Sequence, residues 1–442
     1  HEMHPFLTKH RQPILRYAPT LLVEIGWWTW ALLDAPTNIG RFAQPSPYGG
    51  YNYYLTLTMA LGSLVAGATS EGGGAVAFPV MTLALGVPPP VARDFSFAIQ
   101  SFGMTCAGIT ILGLAVPVDV EAIIWGTAGG AVGLAGGLVG VAPFLPAAYA
   151  KLLFVSVWVA FAVALYRLNR ADKERRVYTS AGESDEALHR IHRGEAKDEA
   201  NVIDESDKED PVQEEESGGT AVQEERSRSE TAIKSKSKYR RAAVIVVTSL
   251  FGGLCTSIAG SGLDMATFSI LTLYYRVDEK VATPTSVILM AGNAILGVIF
   301  RLIGLGGRYA GGEETYIWVF VSVCIPVVVI GAPLGATISS RLSRGTIAGL
   351  LYLLDGIQFI AALAIVRPWS ASPPNNIWLC VSSGLTLIVG SIFFYKIANW
   401  GEKRDKDMET SHSASSMLLS SSVTEPASSA EEEAQPDVWD DS

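Results

Sequence analysis

Long apolar stretches with the length of a bilayer-spanning helix recur along the chain. A helix needs about 20 apolar residues to cross a ~30 Å hydrocarbon core. Seven stretches meet this length: residues 96–114, 122–141, 147–165, 281–305, 316–338, 346–366 and 377–397. The pattern predicts an all-α, polytopic transmembrane helical bundle.

The stretch at residues 17–33 is shorter and mixed in character. It contains Pro19, Glu24 and three tryptophans, which are typical of membrane interfaces. It either spans the membrane or lies in the interface.

Two further stretches, residues 53–87 and 242–275, each run to about 35 residues, which is too long for one ordinary span. Small and polar residues interrupt them, at residues 70–74 and 259–262. Glycine weakens a helix and permits turns that other residues resist. We therefore expect two short helices in each stretch. The breaks should face the protein interior, because unwound backbone is not tolerated against lipid.

Polar composition divides the chain into segments. Residues 169–239 and 399–442 are rich in Glu, Asp, Lys, Arg and Ser, which predicts a disordered linker and a disordered tail. The sequence thus predicts five segments: an N-terminal segment (1–50), a first transmembrane repeat (51–168), the linker (169–239), a second repeat plus a final helix (240–398), and the tail (399–442).

Charge is concentrated outside the apolar stretches. Of the 76 charged residues, 35 lie at positions 167–241 and 14 at 401–442, which leaves 27 in the other 325 residues, roughly 8%. A soluble domain carries about 25%. This excludes a soluble enzyme, a nucleic-acid binder and a disulfide scaffold, and predicts an integral membrane protein in contact with lipid.

Histidine and cysteine give no catalytic or metal pattern in the membrane part. All six histidines lie in the first ten residues, the linker or the tail, and the four cysteines show no CxxC spacing. No P-loop ending, HExxH or GxSxG motif is present there. We expect no enzyme activity, no cofactor and no metal.

Basic residues flank the linker, at 167–176 and 234–241, so the linker is predicted to be cytoplasmic. If both short helices of the second broken stretch cross, Arg276, Lys280 and the basic start of the tail fall on the same side. We therefore favour two crossings for each broken pair.

The two broken stretches are related at a constant offset of 190. Between positions 64 and 96, nine residues recur: Leu64, Gly72, Phe78, Thr82, Leu83, Val87, Val91, Ala92 and Ser96. Gly136 and Gly140 also recur as Gly331 and Gly335, a spacing that lets helices approach closely. Five crossings in the first repeat would start the second from the opposite side, which predicts two inverted repeats.

Three motifs carry a family resemblance. EGGGAVAFP at 71–79 resembles the Gly-rich-then-Pro signature of the TauE/SafE sulfite exporter (anion permease) family. ATPTS at 282–286 is similar to the start of the next helix in that family. GAPLGA at 331–336 is similar to a later helix of the family. The chain departs from the pattern at Glu71, Pro284 and Leu263-Asp264. The resemblance covers residues 53–395 and implies export or exchange of sulfite, sulfate or small organosulfonates.

An ionisable side chain at membrane depth costs free energy, so such residues are candidates for function. Glu71 and Asp264 lie at or beside the breaks. As proton carriers they would act in their neutral form, which burial favours. Alternatively, they cap a half-helix or pair with Arg93 or Arg301. Asp355 lies in mid-span without an assigned role.

Anion binding needs hydrogen-bond donors, and half-helix N-termini supply backbone N–H groups with a favourable dipole. The candidate substrate-binding residues are Ser70, Gly72, Gly73, Gly74, Ser96, Gly260, Ser261, Gly262, Thr283, Ser286 and Asn293, with Gln100 as a further amide donor. Each hydroxyl could instead bond its own helix backbone. Arg301 either attracts anions or extends to the interface.

The predicted function is secondary transport of a small sulfur-containing oxyanion by alternating access, with possible proton coupling. A passive anion channel is one alternative. A membrane receptor or scaffold that signals through the linker and tail is another.

Overall fold

The computed structural model describes residues 16–69, 71–192, 220–307, 313–369 and 376–422, and within these ranges it contains helices and no strand. The α-helices are, in chain order, α1 (Ala18–Leu33), α2 (Ala35–Asn38), α3 (Asn52–Ala68), α4 (Gly72–Pro79), α5 (Pro89–Gly113), α6 (Val120–Gly140), α7 (Ala147–His192), α8 (Thr220–Ala259), α9 (Leu263–Ser269), α10 (Glu279–Leu302), α11 (Glu313–Ser339), α12 (Arg344–Val366) and α13 (Asn376–Ser422).

Eight helices of the described part are long and apolar enough to cross a membrane. Seven of them cover the seven spans that apolar length predicts, and the eighth, Lys238–Ala259, is the first arm of the second broken stretch. The prediction of an all-α, multi-pass membrane bundle is therefore confirmed.

Both long stretches are broken where glycine predicts a break. Gly72, the first residue of α4, has φ +68°, and Gly260 and Gly262, between α8 and α9, have φ +79° and +144°. These are backbone angles that residues with a Cβ rarely adopt. After each break the short helix ends in a π-helical turn, Val80–Ala84 in the first and Ile270–Tyr274 in the second, again 190 residues apart.

Each short helix folds back along the helix before it. A Cβ built on Gly62 would lie 3.0 Å from Val76 Cγ1, and one on Gly252 would lie 2.8 Å from Ala266 Cβ. The two residues of each pair lie on opposite sides of a break, so the chain reverses there. We name residues 52–84 hairpin 1 and residues 238–274 hairpin 2.

Hairpin 2 returns to the end of the bundle at which it starts. The Arg241 guanidinium lies 5.2 Å from the ring centroid of Tyr275, and Arg404 donates to the Tyr275 carbonyl at 3.3 Å. Arg241 also bonds Asp119 and Glu121 at the start of α6. We call this the Arg241 end.

Small residues bring the first helix of each half against the fourth helix of the other half. In the α3–α11 contact, a Cβ on Gly67 would overlap the Ala332 carbonyl, and one on Gly335 would overlap the Leu64 carbonyl. The predicted close-approach role of Gly331 and Gly335 is borne out by this contact.

The corresponding contact between α6 and α8 uses different glycines of α6 from the ones that the repeat indicates. Gly129 and Gly133 lie against the backbone of Val246 and Leu250, whereas nothing lies within 4 Å of a Cβ on Gly136 or Gly140. The predicted role of Gly136 and Gly140 in helix approach is therefore wrong. The physical reason is the register of the contact: the contacting glycine, Gly133, lies three residues before Gly136.

The helix α1 lies along the bundle. Thr20 donates to the Val329 carbonyl at 3.0 Å and Trp27 to the Ser322 carbonyl at 2.7 Å, so α1 runs antiparallel to α11. This is the orientation expected of the spanning alternative for residues 17–33.

Helical backbone extends beyond the membrane part. Helix α7 continues to His192, α8 begins at Thr220, and α13 continues to Ser422. The structure is thus helical at the two margins of the predicted linker and in the first part of the predicted tail, where Glu, Lys, Arg and Ala favour helix. Residues 193–219 and 423–442 lie outside the described residues.

Candidate functional site

The tips of the two hairpins meet inside the protein. Ser261, in the second break, donates to the backbone carbonyl of Glu71, in the first break, at 3.0 Å. The two residues are related by the repeat offset of 190, and both are fully buried. The prediction that the breaks face the protein interior holds for the described residues of both tips.

Gly72 makes this contact possible. A Cβ at this position would lie 3.2 Å from Ser261 Oγ and 3.0 Å from Gln100 Oε1, and it would overlap the Asp264 carboxylate. Gly73 is similarly close, since its Cβ would lie 3.2 Å from Gln100 Cγ. The glycines of the first break therefore leave room for polar side chains of α5 and the second break.

Asp264 holds the turn before α9. Its Oδ1 accepts from the Gly262 N–H at 2.9 Å, and its Oδ2 lies 3.1 Å from Ser261 Oγ. The Leu263 N–H is taken by Thr256 Oγ1 at 3.0 Å. Of the two roles considered for Asp264, this geometry corresponds to capping a half-helix.

Glu71 is bonded differently. Its Oε2 accepts from Gln358 Nε2 of α12 at 3.2 Å, while its Oε1 has no hydrogen-bond partner among the described residues. The side chain is fully buried. No ion pair joins it to an Arg or Lys of the described part of the chain.

The arginines considered as partners of Glu71 and Asp264 bind another carboxylate. Arg93 Nε donates to Asp94 Oδ1 at 2.7 Å and Arg301 Nε donates to Asp94 Oδ2 at 2.6 Å. The alternative in which Glu71 or Asp264 pairs with Arg93 or Arg301 is therefore wrong. Arg301 Nη1 also donates to the carbonyls of Leu305, at 2.5 Å, and Gly307, at 2.8 Å, just beyond the end of α10, which corresponds to the alternative in which Arg301 extends toward the interface.

Gln100 connects α5 to the second tip. Its Nε2 donates to the carbonyls of Gly260, at 2.8 Å, and Ser96, at 2.9 Å, and its Oε1 has no partner in the described residues. Ser96 Oγ donates to the Ala92 carbonyl of its own helix at 2.8 Å. Ser96 of α5 also packs against Gly260, where a Cβ would lie 2.5 Å from Ser96 Cβ.

Three predicted residues lie on α10. Ser286 donates to the Thr283 carbonyl at 2.8 Å, so its hydroxyl is used within its own helix. Thr283 lines a cavity of about 350 Å³ that also reaches Gly67 and Lys280. Asn293 is fully buried, and neither of its amide atoms has a partner among the described residues. No hydrogen bond of the described part joins Ser286 or Asn293 to either tip.

The structure gives little information on two predicted residues of the first break. Ser70 lies outside the described residues, and Gly74 lies within the first turn of α4.

Sequence reasoning missed Gln358 and left Asp355 without a role. Both belong to α12 and are buried, at 9% and 2% exposure. They are three residues apart, so they share one face of an otherwise apolar helix. This polar pair in a predicted span was the available signal.

Comparison with known families decides the class of the protein. The family model described as "Sulfite exporter TauE/SafE" matches residues 55–362, well over half of the 442-residue chain. The chain belongs to the TauE/SafE family. No curated protein and no solved structure matches it. The matched residues of this TauE/SafE chain include hairpin 1 from residue 55 onward, all of hairpin 2, both tips and Gln358.

Proposed function

We propose that this chain carries a small sulfur-containing oxyanion across the membrane by alternating access, with the meeting point of the two tips as the binding site. Membership of the TauE/SafE family supports membrane transport of an anion. The observation that carries the location is the contact between Ser261 and Glu71, which brings two breaks from different halves into one buried place.

The N-terminus of α4 provides the proposed anion contacts. This helix begins at Gly72 and has no side-chain cap among the described residues, so its first N–H groups are not used by a capping side chain. Gly72 and Gly73 also leave space beside this backbone, and the side chains of Gln100 and Asp264 line it. The equivalent groups at α9 are already occupied by Asp264 and Thr256. The first tip is therefore the stronger anion site of the two.

The proposed mechanism uses two halves of opposite orientation. The tips of the two hairpins contact each other, as expected if the hairpins enter the bundle from opposite ends, and this supports the proposal. The reciprocal contacts of α3 with α11 and of α6 with α8 give further support. Rocking of two such halves about a fixed central site is the usual means of alternating access.

The Arg241 end is proposed to be cytoplasmic. Arg240, Arg241, Arg276 and Lys280 lie at or close to this end in sequence, and basic residues favour the cytoplasmic side. The 350 Å³ cavity beside Lys280 and Gly67 would then be the cytoplasmic access route to the first tip.

The test is uptake of radiolabelled sulfite, sulfate and an organosulfonate by liposomes containing the purified protein. A carrier gives saturable uptake and counterflow, in which unlabelled anion on one side drives labelled anion from the other. A passive channel gives flux without counterflow. Absence of protein-dependent flux for all three anions would contradict the proposal.

The receptor or scaffold alternative has its own test. Deletion of residues 181–231 removes most of the polar linker and none of the candidate spans. Transport should survive this deletion if the membrane part does the work. Loss of cellular function with intact liposome transport would favour a signalling role.

A further inference from the structure

Glu71 and the α12 pair Asp355 and Gln358 form a polar group that anion binding alone does not explain. The Gln358 amide donates to Glu71 at 3.2 Å and thereby joins hairpin 1 to the last helix of the second repeat. Helix α12 also packs against the π-helical turn Val80–Ala84 that ends hairpin 1. The group therefore links parts of both halves.

Some acceptor atoms of this polar group lack hydrogen-bond donors. Glu71 Oε1 and Asp355 Oδ2 are buried, and neither has a donor among the described residues. The two carboxyls interact electrostatically with each other, and Asp264 of hairpin 2 is the other charged group that acts on Glu71. No Lys or Arg in the described part of the chain forms an ion pair with any of the three.

Two ionised carboxylates without a cation are strongly disfavoured in such a place. Burial penalises each charge, and the like charge of the neighbour adds to the penalty. A proton removes one charge and converts one of the unpartnered acceptors into a donor. An anion at the first tip would increase the need for this proton, because it would otherwise meet the Glu71 carboxylate directly.

We propose that Glu71 and Asp355 together take up one proton for each passage of the anion, and that Asp264 does not carry it. The proton comes from water on the side from which the anion enters, moves with the anion, and is released to water on the other side. Transport is then anion–proton symport. This inference rests on the proposed anion transport, which it makes more specific.

The roles of the three carboxyls differ because their hydrogen bonds differ. Asp264 accepts from the Gly262 N–H, so a backbone donor already stabilises its charged form. Glu71 has one amide donor, on one oxygen. Asp355 has no donor to its Oδ2 in the described residues.

The experiment compares two activities in the same liposomes. Exchange of labelled for unlabelled anion needs no net proton movement, whereas accumulation driven by an inside-alkaline pH gradient does. The anions are sulfite, sulfate and methanesulfonate, the membrane potential is clamped, and flux into protein-free liposomes is subtracted. Methanesulfonate and sulfate remain ionised near neutral pH, so their accumulation does not report passive entry of a protonated form.

We expect Glu71→Gln and Asp355→Asn each to lower the ratio of accumulation to exchange at least tenfold. Asp264→Asn should lower both activities together, because it disturbs the turn that holds the second tip. Asp405→Asn, at a partly exposed carboxyl of α13, should change neither. Elution as a single species in detergent checks that each variant folds.

The outcomes separate the two proposals. If no anion exchanges in the wild-type protein, the proposed transport function fails. If exchange occurs but the ratio is unchanged in Glu71→Gln and Asp355→Asn, the proton role is overturned. If Asp264→Asn alone lowers the ratio, the proton is carried by Asp264 and the assignment made here is wrong.

Discussion

Arg301 donates a hydrogen bond from Nε to Asp94 at 2.6 Å and so joins the third helix of the second repeat, α10, to the third helix of the first, α5. Arg93 binds the other oxygen of the same carboxylate at 2.7 Å. The three side chains are 6–12% exposed. A carboxylate buried between two guanidinium groups balances one of their two positive charges where water cannot.

Asp94→Asn is therefore expected to destabilise the protein strongly. Removing one member of a buried ion pair leaves an uncompensated charge, at a cost of about 3–5 kcal/mol. Thermal unfolding in detergent should show a large fall in midpoint.

The partly exposed pair Arg404–Asp405, at 3.5 Å, gives the control for this prediction. Asp405→Asn should cost less than about 1 kcal/mol, as exposed ion pairs usually do. Equal midpoints for the two variants would mean that Asp94 does not stabilise the α5–α10 contact.

Part of this architecture follows from sequence because it depends on composition and local backbone. Apolar length predicts the spans, and glycine at 72 and 260 predicts the breaks, since few other residues adopt positive φ. These properties belong to single residues and their near neighbours.

The partners of individual side chains do not follow in the same way. Helix α6 contains seven glycines, several of them three or four residues apart, so its sequence does not decide whether Gly133 or Gly136 meets another helix. Asp94 follows Arg93 directly, yet the second guanidinium on it comes from a residue 207 positions away. Such contacts depend on the rotation and register of whole helices.

Gly133→Ala should disrupt the contact between α6 and α8. A Cβ at this position would overlap the carbonyl of Leu250, and neither backbone can move without separating the helices. We expect a loss of about 1–3 kcal/mol or more, as overpacking typically costs, or failure to yield folded protein. The measurement is the thermal midpoint together with the amount of monodisperse protein.

Gly136→Ala is the matched control on the same helix, one turn away. Nothing lies within 4 Å of its Cβ, so alanine should be neutral or stabilise the helix by up to about 1 kcal/mol. Were Gly136→Ala the more harmful change, the register of α6 against α8 described above would be incorrect.

Gly72→Ala tests the first tip. Gly72 has φ +68°, and its Cβ would crowd Ser261, Gln100 and Asp264. Backbone strain of about 1–2 kcal/mol adds to this crowding. We expect anion exchange to fall at least tenfold, because the side chain would separate the two tips and cover the start of α4.

Gly86→Ala isolates the contribution of crowding. Gly86 has almost the same backbone angle, φ +67°, but open space around its Cβ. It should lose a similar amount of stability and keep most of its exchange activity. Equal loss of exchange in both variants would show that backbone strain, and not the geometry of the tip, controls transport.

Ser261 and Ser286 are both fully buried, and both were predicted to bind substrate, but their hydrogen bonds differ. Ser261 bridges the tips through Glu71 and Asp264, whereas Ser286 bonds its own helix. Ser261→Ala should therefore remove a donor from buried acceptors, at a cost of about 1–3 kcal/mol, and lower exchange at least tenfold. Ser286→Ala should stay within about threefold of wild type, since a helical backbone carbonyl keeps its main-chain partner. Measuring the KM and the maximal rate of exchange for both variants checks this, and a larger effect of Ser286→Ala would move the anion site from the tips toward α10.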